Sequence, residues 1–119
     1  MNIFDNDLDR LNFEDIIWYI FIGISILNII GDKFLKEFII SKDKNKEKEA
    51  NYLFLIIIII TILIYIYFFI RNYNAYIKCS EEEKEIYLVK LFGSVFFVVG
   101  GVCLLYFQVN NSDFIGTVI

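Results

Sequence analysis

Nineteen consecutive residues, Tyr52–Ile70, carry no charge, and Thr61 supplies their one aliphatic hydroxyl. That run constrains the chain more than any other feature. As an α-helix it covers roughly 28 Å, close to the thickness of a bilayer's hydrocarbon core. A strand reading of Ile56–Ile60 fails because the apolar run is far longer than strands, which rarely exceed about ten residues. A transmembrane helix over 52–73 follows. It ends in Tyr65, Tyr67, Phe68 and Phe69, an aromatic belt closed by Arg71 as a snorkelling cation.

Two weaker blocks flank it. Ile16–Ile30 is short for a span, and Phe13 before it and Gly31 after it extend it to 13–31. Trp18 is placed as an interfacial anchor. The pattern Asp32–Ile39 keeps Phe34, Leu35, Phe38 and Ile39 on one face, so helix continues to Ile40. The third block, Leu91–Val109, follows Ser80-Glu81-Glu82-Glu83, which reads as a capping box. A helix over 81–109 is predicted, starting outside the membrane, with Lys90 anchoring its entry. Between the first two helices, 41–51 is a charged run read as a solvated turn, and 110–119 is a short tail. Ahead of the first block, Phe4, Leu8 and Leu11 suggest a short amphipathic helix on the membrane surface, and Asn12 with Asp15 resembles a helix start.

The expected fold is an all-α membrane protein, 1–119 forming one integral domain. Three transmembrane helices make a short up-down bundle, with helices 1 and 3 extending beyond the bilayer. The 58% hydrophobic content, with 24 isoleucines, is concentrated in these blocks, which excludes a water-soluble domain.

Composition also closes function classes. With no His and two Cys, the usual ligand sets for zinc and haem are missing, and no metal or other cofactor is expected. A net charge of −4 without a purely basic tract excludes a nucleic-acid footprint. No ionisable group lies near the middle of any span, as a proton-coupled transporter requires, and Ser25, Ser94 and Cys103 have no base to activate them. Catalysis is not expected.

What remains is association. Ser25 and Asn28 form a polar stripe on the first helix, and an Asn in hydrocarbon seeks a partner. Gly93 and Gly100 are seven apart, as are Ser94 and Gly101, so the four lie on or near one face where a second backbone can approach closely. Both features serve packing within the chain or contact with a partner. The partners implied are the lipid bilayer and either a second copy of the chain or another membrane protein. The reading is a small non-enzymatic multi-pass protein acting through helix–helix association, as an accessory subunit or a toxin-immunity type of protein. The alternative is an oligomeric pore of holin type or a lytic effector, ahead of a small-solute transporter.

Orientation is weakly written. Three spans place five basic residues on the amino-terminal side and six on the other, so the positive-inside rule barely discriminates. The first helix alone, with one base before it and six after it, favours an external amino terminus and an internal carboxyl terminus in the plasma membrane, and the third, with four bases before it and none after it, favours the reverse; the reading follows the first.

Overall fold

The computed structural model describes residues 4, 6–111 and 113–119. It is an all-α three-helix membrane bundle. α1 runs Asp7–Ser41, α2 runs Lys44–Lys78, and α3 runs Lys84–Asn110, preceded by a 3-10 turn at Glu81–Glu83. All three helices are long and apolar enough to cross a membrane. At 35 residues, α1 and α2 each extend roughly 52 Å, so both continue well past a hydrocarbon core of about 30 Å.

α1 is one uninterrupted helix. Its start lies at Asn6, not at Asn12: the Asn6 carboxamide oxygen accepts from the Asp9 amide at 2.8 Å. The amphipathic segment and the first span are therefore continuous. Phe4 turns back against Phe13 and Tyr67, with ring centroids 5.1 and 6.4 Å away, while Leu8 and Leu11 stay exposed.

The charged run 41–51 is also helix, apart from a two-residue connection at Lys42 and Asp43. Lys and Glu are good helix formers and no Gly or Pro interrupts them. Asp43 caps α2 by accepting from the Asn45 amide at 3.0 Å, and Lys46 bridges back to Glu37 at 3.5 Å. The tight turn puts Lys42 in the left-handed region, at φ 63°, where its amide closes α1 on the Phe38 carbonyl at 2.7 Å. At the other end of α2, Ser80 occupies the N-cap position without a side-chain capping bond, so the expected capping box is not formed. Lys84 does the joining instead: its ammonium donates to the carbonyls of Tyr76 and Ile77 at 2.6 and 3.2 Å and sits over the Tyr76 ring. A cation at the α2 carboxyl end is favoured by the helix dipole.

α2 is the middle of the bundle. α1 and α3 both pack on it, and among the described residues no Cα of α1 comes within 8 Å of α3. The fully buried side chains Phe54, Ile57 and Ile58 all belong to α2. Two glycines set the closest approaches. A Cβ at Gly31 of α1 would run into the Phe54 ring, 2.7 Å from Cζ, and one at Gly101 of α3 would lie 2.9 Å from Ile62 Cγ1. On α3 the buried residues are Ser94, Gly101 and Gln108, a strict seven-residue seam against α2. Gln108 closes it by donating to the Asn51 carbonyl at 3.1 Å.

The amino end of α1, the carboxyl end of α2 and the start of α3 thus share one end of a body 60 × 26 × 18 Å across. That end holds the buried polar residues Glu14, Asn72 and Ser94.

Candidate functional site

α1 presents Glu14, Ile17, Ile24, Gly31 and Leu35 to the interior. Four of these are apolar or small, and the topmost is a carboxylate. Asp15, next in sequence, points out. Glu14 is buried because the α1–α2 register brings it opposite Tyr67 and Arg71, which are four apart on α2 and so share a face.

Arg71 Nη1 donates to Glu14 Oε1 at 3.0 Å, and the Tyr67 hydroxyl donates to Oε2 at 3.0 Å. Arg10, one turn before Glu14, adds a bond to Oε2 at 3.2 Å. The rest of the Arg71 guanidinium is also used: Nε and Nη2 donate to Asn72 Oδ1 at 3.1 and 3.0 Å. Asn72 then donates to the Ser94 hydroxyl of α3, which bonds the Lys90 carbonyl at 3.2 Å. A single hydrogen-bonded path therefore crosses all three helices. Phe68 covers it from below, its ring 4.7 Å from the Arg71 guanidinium carbon.

Two cavities border this network. One, of about 410 Å³, lies on the outer side between the beginnings of α1 and α3 and the end of α2. Arg10, Arg71, Lys78 and Lys90 line it together with Asn72 and Tyr87. The other, of about 520 Å³, is an apolar groove between α1 and α3 over α2, walled by Trp18, Phe21, Tyr65, Phe68, Gly93 and Phe97. Arg71, Asn72 and Lys90 border both.

The residues singled out from sequence are distributed unevenly around these features. Arg71, expected to snorkel, is turned inward, because Glu14 offers a buried carboxylate within reach. Tyr67 likewise spends its hydroxyl on Glu14. Trp18 stays half-exposed with its ring 5.9 Å from that of Phe68, and Tyr65 lies 5.1 Å from Phe97. Lys90 is exposed at the junction of the two cavities.

The four small residues of α3 divide. Ser94 and Gly101 face α2, whereas Gly93 and Gly100 lie a step around the helix, where a Cβ would meet nothing within 4 Å. On α1, the exposed Ser25 bonds its own helix at the Phe21 carbonyl, 3.0 Å away, and Asn28 Oδ1 is buried with no hydrogen-bond partner among the described residues. Thr61 also bonds its own backbone, at Ile57. No group of three or more metal-ligating side chains occurs among the described residues.

No family model, curated protein or solved structure matches this chain.

Sequence reasoning missed Glu14, Arg10 and Asn72 as a set. A signal was present. Glu14 lies three, ten and seventeen residues before Ile17, Ile24 and Gly31, the register of an inward seam, and Arg71 stands immediately beyond the apolar block that runs back toward it.

Proposed function

We propose that this chain is a non-enzymatic multi-pass membrane protein that works by seating a partner's transmembrane helix beside α3, as an accessory subunit or immunity-type protein does. The observation that supports it is the division of the small residues. Ser94 and Gly101 are used inside the chain, but Gly93, which walls the apolar groove between α1 and α3, and Gly100, two turns further along the same face, present open backbone. Helices in lipid associate where small residues let backbones approach, since hydrocarbon gives no hydrophobic drive between them.

The groove has aromatic walls from all three helices. The pore reading draws less support, because the polar stripe is divided: Ser25 is exposed, but the Asn28 carboxamide oxygen is buried and does not face a channel with it. We place the protein in the plasma membrane with its amino terminus outside, on the charge difference across the first span.

The test is cross-linking from Phe96→Cys, an exposed position on the face between Gly93 and Gly100 that leaves both glycines intact, in a chain whose Cys79 and Cys103 are replaced, expressed in its native membrane. A specific adduct with another membrane protein is the expected result. Adducts confined to the chain itself, or to a second copy in membranes that leak dye on induction, overturn the reading in favour of simple packing or a pore.

A further inference from the structure

We propose that the cation-lined cavity at the amino-terminal end of the bundle binds the phosphate headgroup of an anionic phospholipid. This goes beyond helix association and does not depend on it, because the headgroup site is the polar cavity alone, whichever of lipid chains or a partner helix fills the groove beside it.

Four cations border the cavity, and their neutralisation is unequal. Arg10 and Arg71 share Glu14, and Arg10 also lies 3.8 Å from the exposed Asp7. Lys78 and Lys90 have no carboxylate within 4 Å among the described residues. Their neighbour Lys84 shows the alternative, its ammonium being committed to the Tyr76 and Ile77 carbonyls. Asp7 also lines the cavity, and with Glu14 it offsets the two guanidiniums, so among the described residues the net positive charge rests on the two flexible ammoniums over a fixed guanidinium floor. Tyr87 adds a hydroxyl to the same wall. Phosphate suits this set, since guanidinium and ammonium donors both bind its oxygens with charge-assisted hydrogen bonds.

Depth decides between a lipid and a free phosphate. Arg71 directly follows the apolar block ending at Ile70, and Lys90 directly precedes the block beginning at Leu91. The cavity therefore sits where hydrocarbon ends and lipid phosphates lie. It shares Arg71, Asn72 and Lys90 with the mouth of the apolar groove, so polar walls give way to apolar ones in the order of a lipid's head and chains. Lipids at this level confront the cavity at a high effective concentration without leaving the membrane.

The experiment uses the full chain purified in neutral-detergent micelles and native mass spectrometry. Dioleoylphosphatidylglycerol is offered beside dioleoylphosphatidylcholine, whose chains are identical. Preferential retention of the anionic lipid is expected. Each interfacial cation contributes enough that the Lys78→Gln/Lys90→Gln pair should weaken this retention about tenfold or more. Both side chains are exposed and without a carboxylate partner among the described residues, so helical circular dichroism should stay unchanged. Lys90→Arg, which keeps the charge, should keep the lipid, and Lys33→Gln/Lys36→Gln at the far end of α1 should leave it in place. Equal retention of both lipids, or full retention by the Lys78/Lys90 variant, overturns the proposal. Displacement of the lipid by millimolar glycerol phosphate overturns the lipid assignment in favour of a soluble phosphate ligand.

Discussion

Replacing Glu14 by Gln tests the polar network most directly, because it removes one charge and preserves shape. The Glu14 side chain is only 7% exposed, against 22% for Arg71 and 31% for Arg10. It receives bonds from Arg71 and Tyr67 at 3.0 Å each and from Arg10 at 3.2 Å. Breaking a fully buried ion pair by removing one partner costs about 3–5 kcal/mol. Both guanidiniums here keep an edge toward the interface, and Arg71 retains its two bonds to Asn72, so the cost is lower, about 2–3 kcal/mol.

The assay is reversible unfolding in mixed neutral and anionic detergent micelles, followed by circular dichroism and by Trp18 emission. Trp18 reports the right event, because its ring packs near Phe68 and parts from it when α1 leaves α2. A cycle with Arg71→Met separates the pair from its surroundings. Hydrogen bonds between membrane helices couple by about 0.6 kcal/mol on average, so a charged pair at this depth should exceed about 1 kcal/mol. A Glu14→Gln protein within about 0.5 kcal/mol of the parent, or additivity of the two changes, would refute the reasoning.

Gly31→Ala and Gly101→Ala should each destabilise by about 1–3 kcal/mol in the same assay, since the new methyl groups meet Phe54 and Ile62, whereas Gly93→Ala and Gly100→Ala, in open space, should each stabilise by up to about 1 kcal/mol and yet weaken partner cross-linking. Asn72→Ala removes the one side chain joining Arg71 to Ser94 and should cost about 1–3 kcal/mol, with α3 becoming the first helix to lose amide protection in hydrogen exchange. Lys42→Gly should stabilise by about 1 kcal/mol, because only Lys42 pays a left-handed penalty in the α1–α2 turn. Impermeant maleimide should label Cys79 on intact cells if the amino-terminal end is external, and labelling only after lysis reverses that orientation.

The bundle was legible because its cause is coarse. Apolar blocks near bilayer thickness leave a chain few options, and their alternation with charged stretches forces antiparallel neighbours. The boundaries were less legible. The run 41–51 looks like a loop by charge, yet its Lys and Glu residues are helix formers. The Asp43 cap and the Lys46–Glu37 bridge let α2 begin at Lys44. Ser80 and Glu83 have the spelling of a capping box, but capping is a matter of geometry, and the chain enters α3 through a 3-10 turn that leaves the Ser80 hydroxyl out of it.

The site was hidden for a sharper reason, which is that inwardness is a property of register. Glu14 and Asp15 are indistinguishable as acids ahead of an apolar block, and one step of about 100° around α1 decides which meets Arg71. The same step on α3 separates Ser94 and Gly101, which face α2, from Gly93 and Gly100, which do not. Gln108 completes the first series at seven-residue spacing, and its bond to the Asn51 carbonyl marks that seam as internal in the structure. Gly93 and Gly100 belong to no such series. Small residues that the fold does not use still cost helix stability, about 1 kcal/mol each relative to Ala. A cost of that size with no return inside the chain is the physical reason to look for the return in whatever packs beside α3.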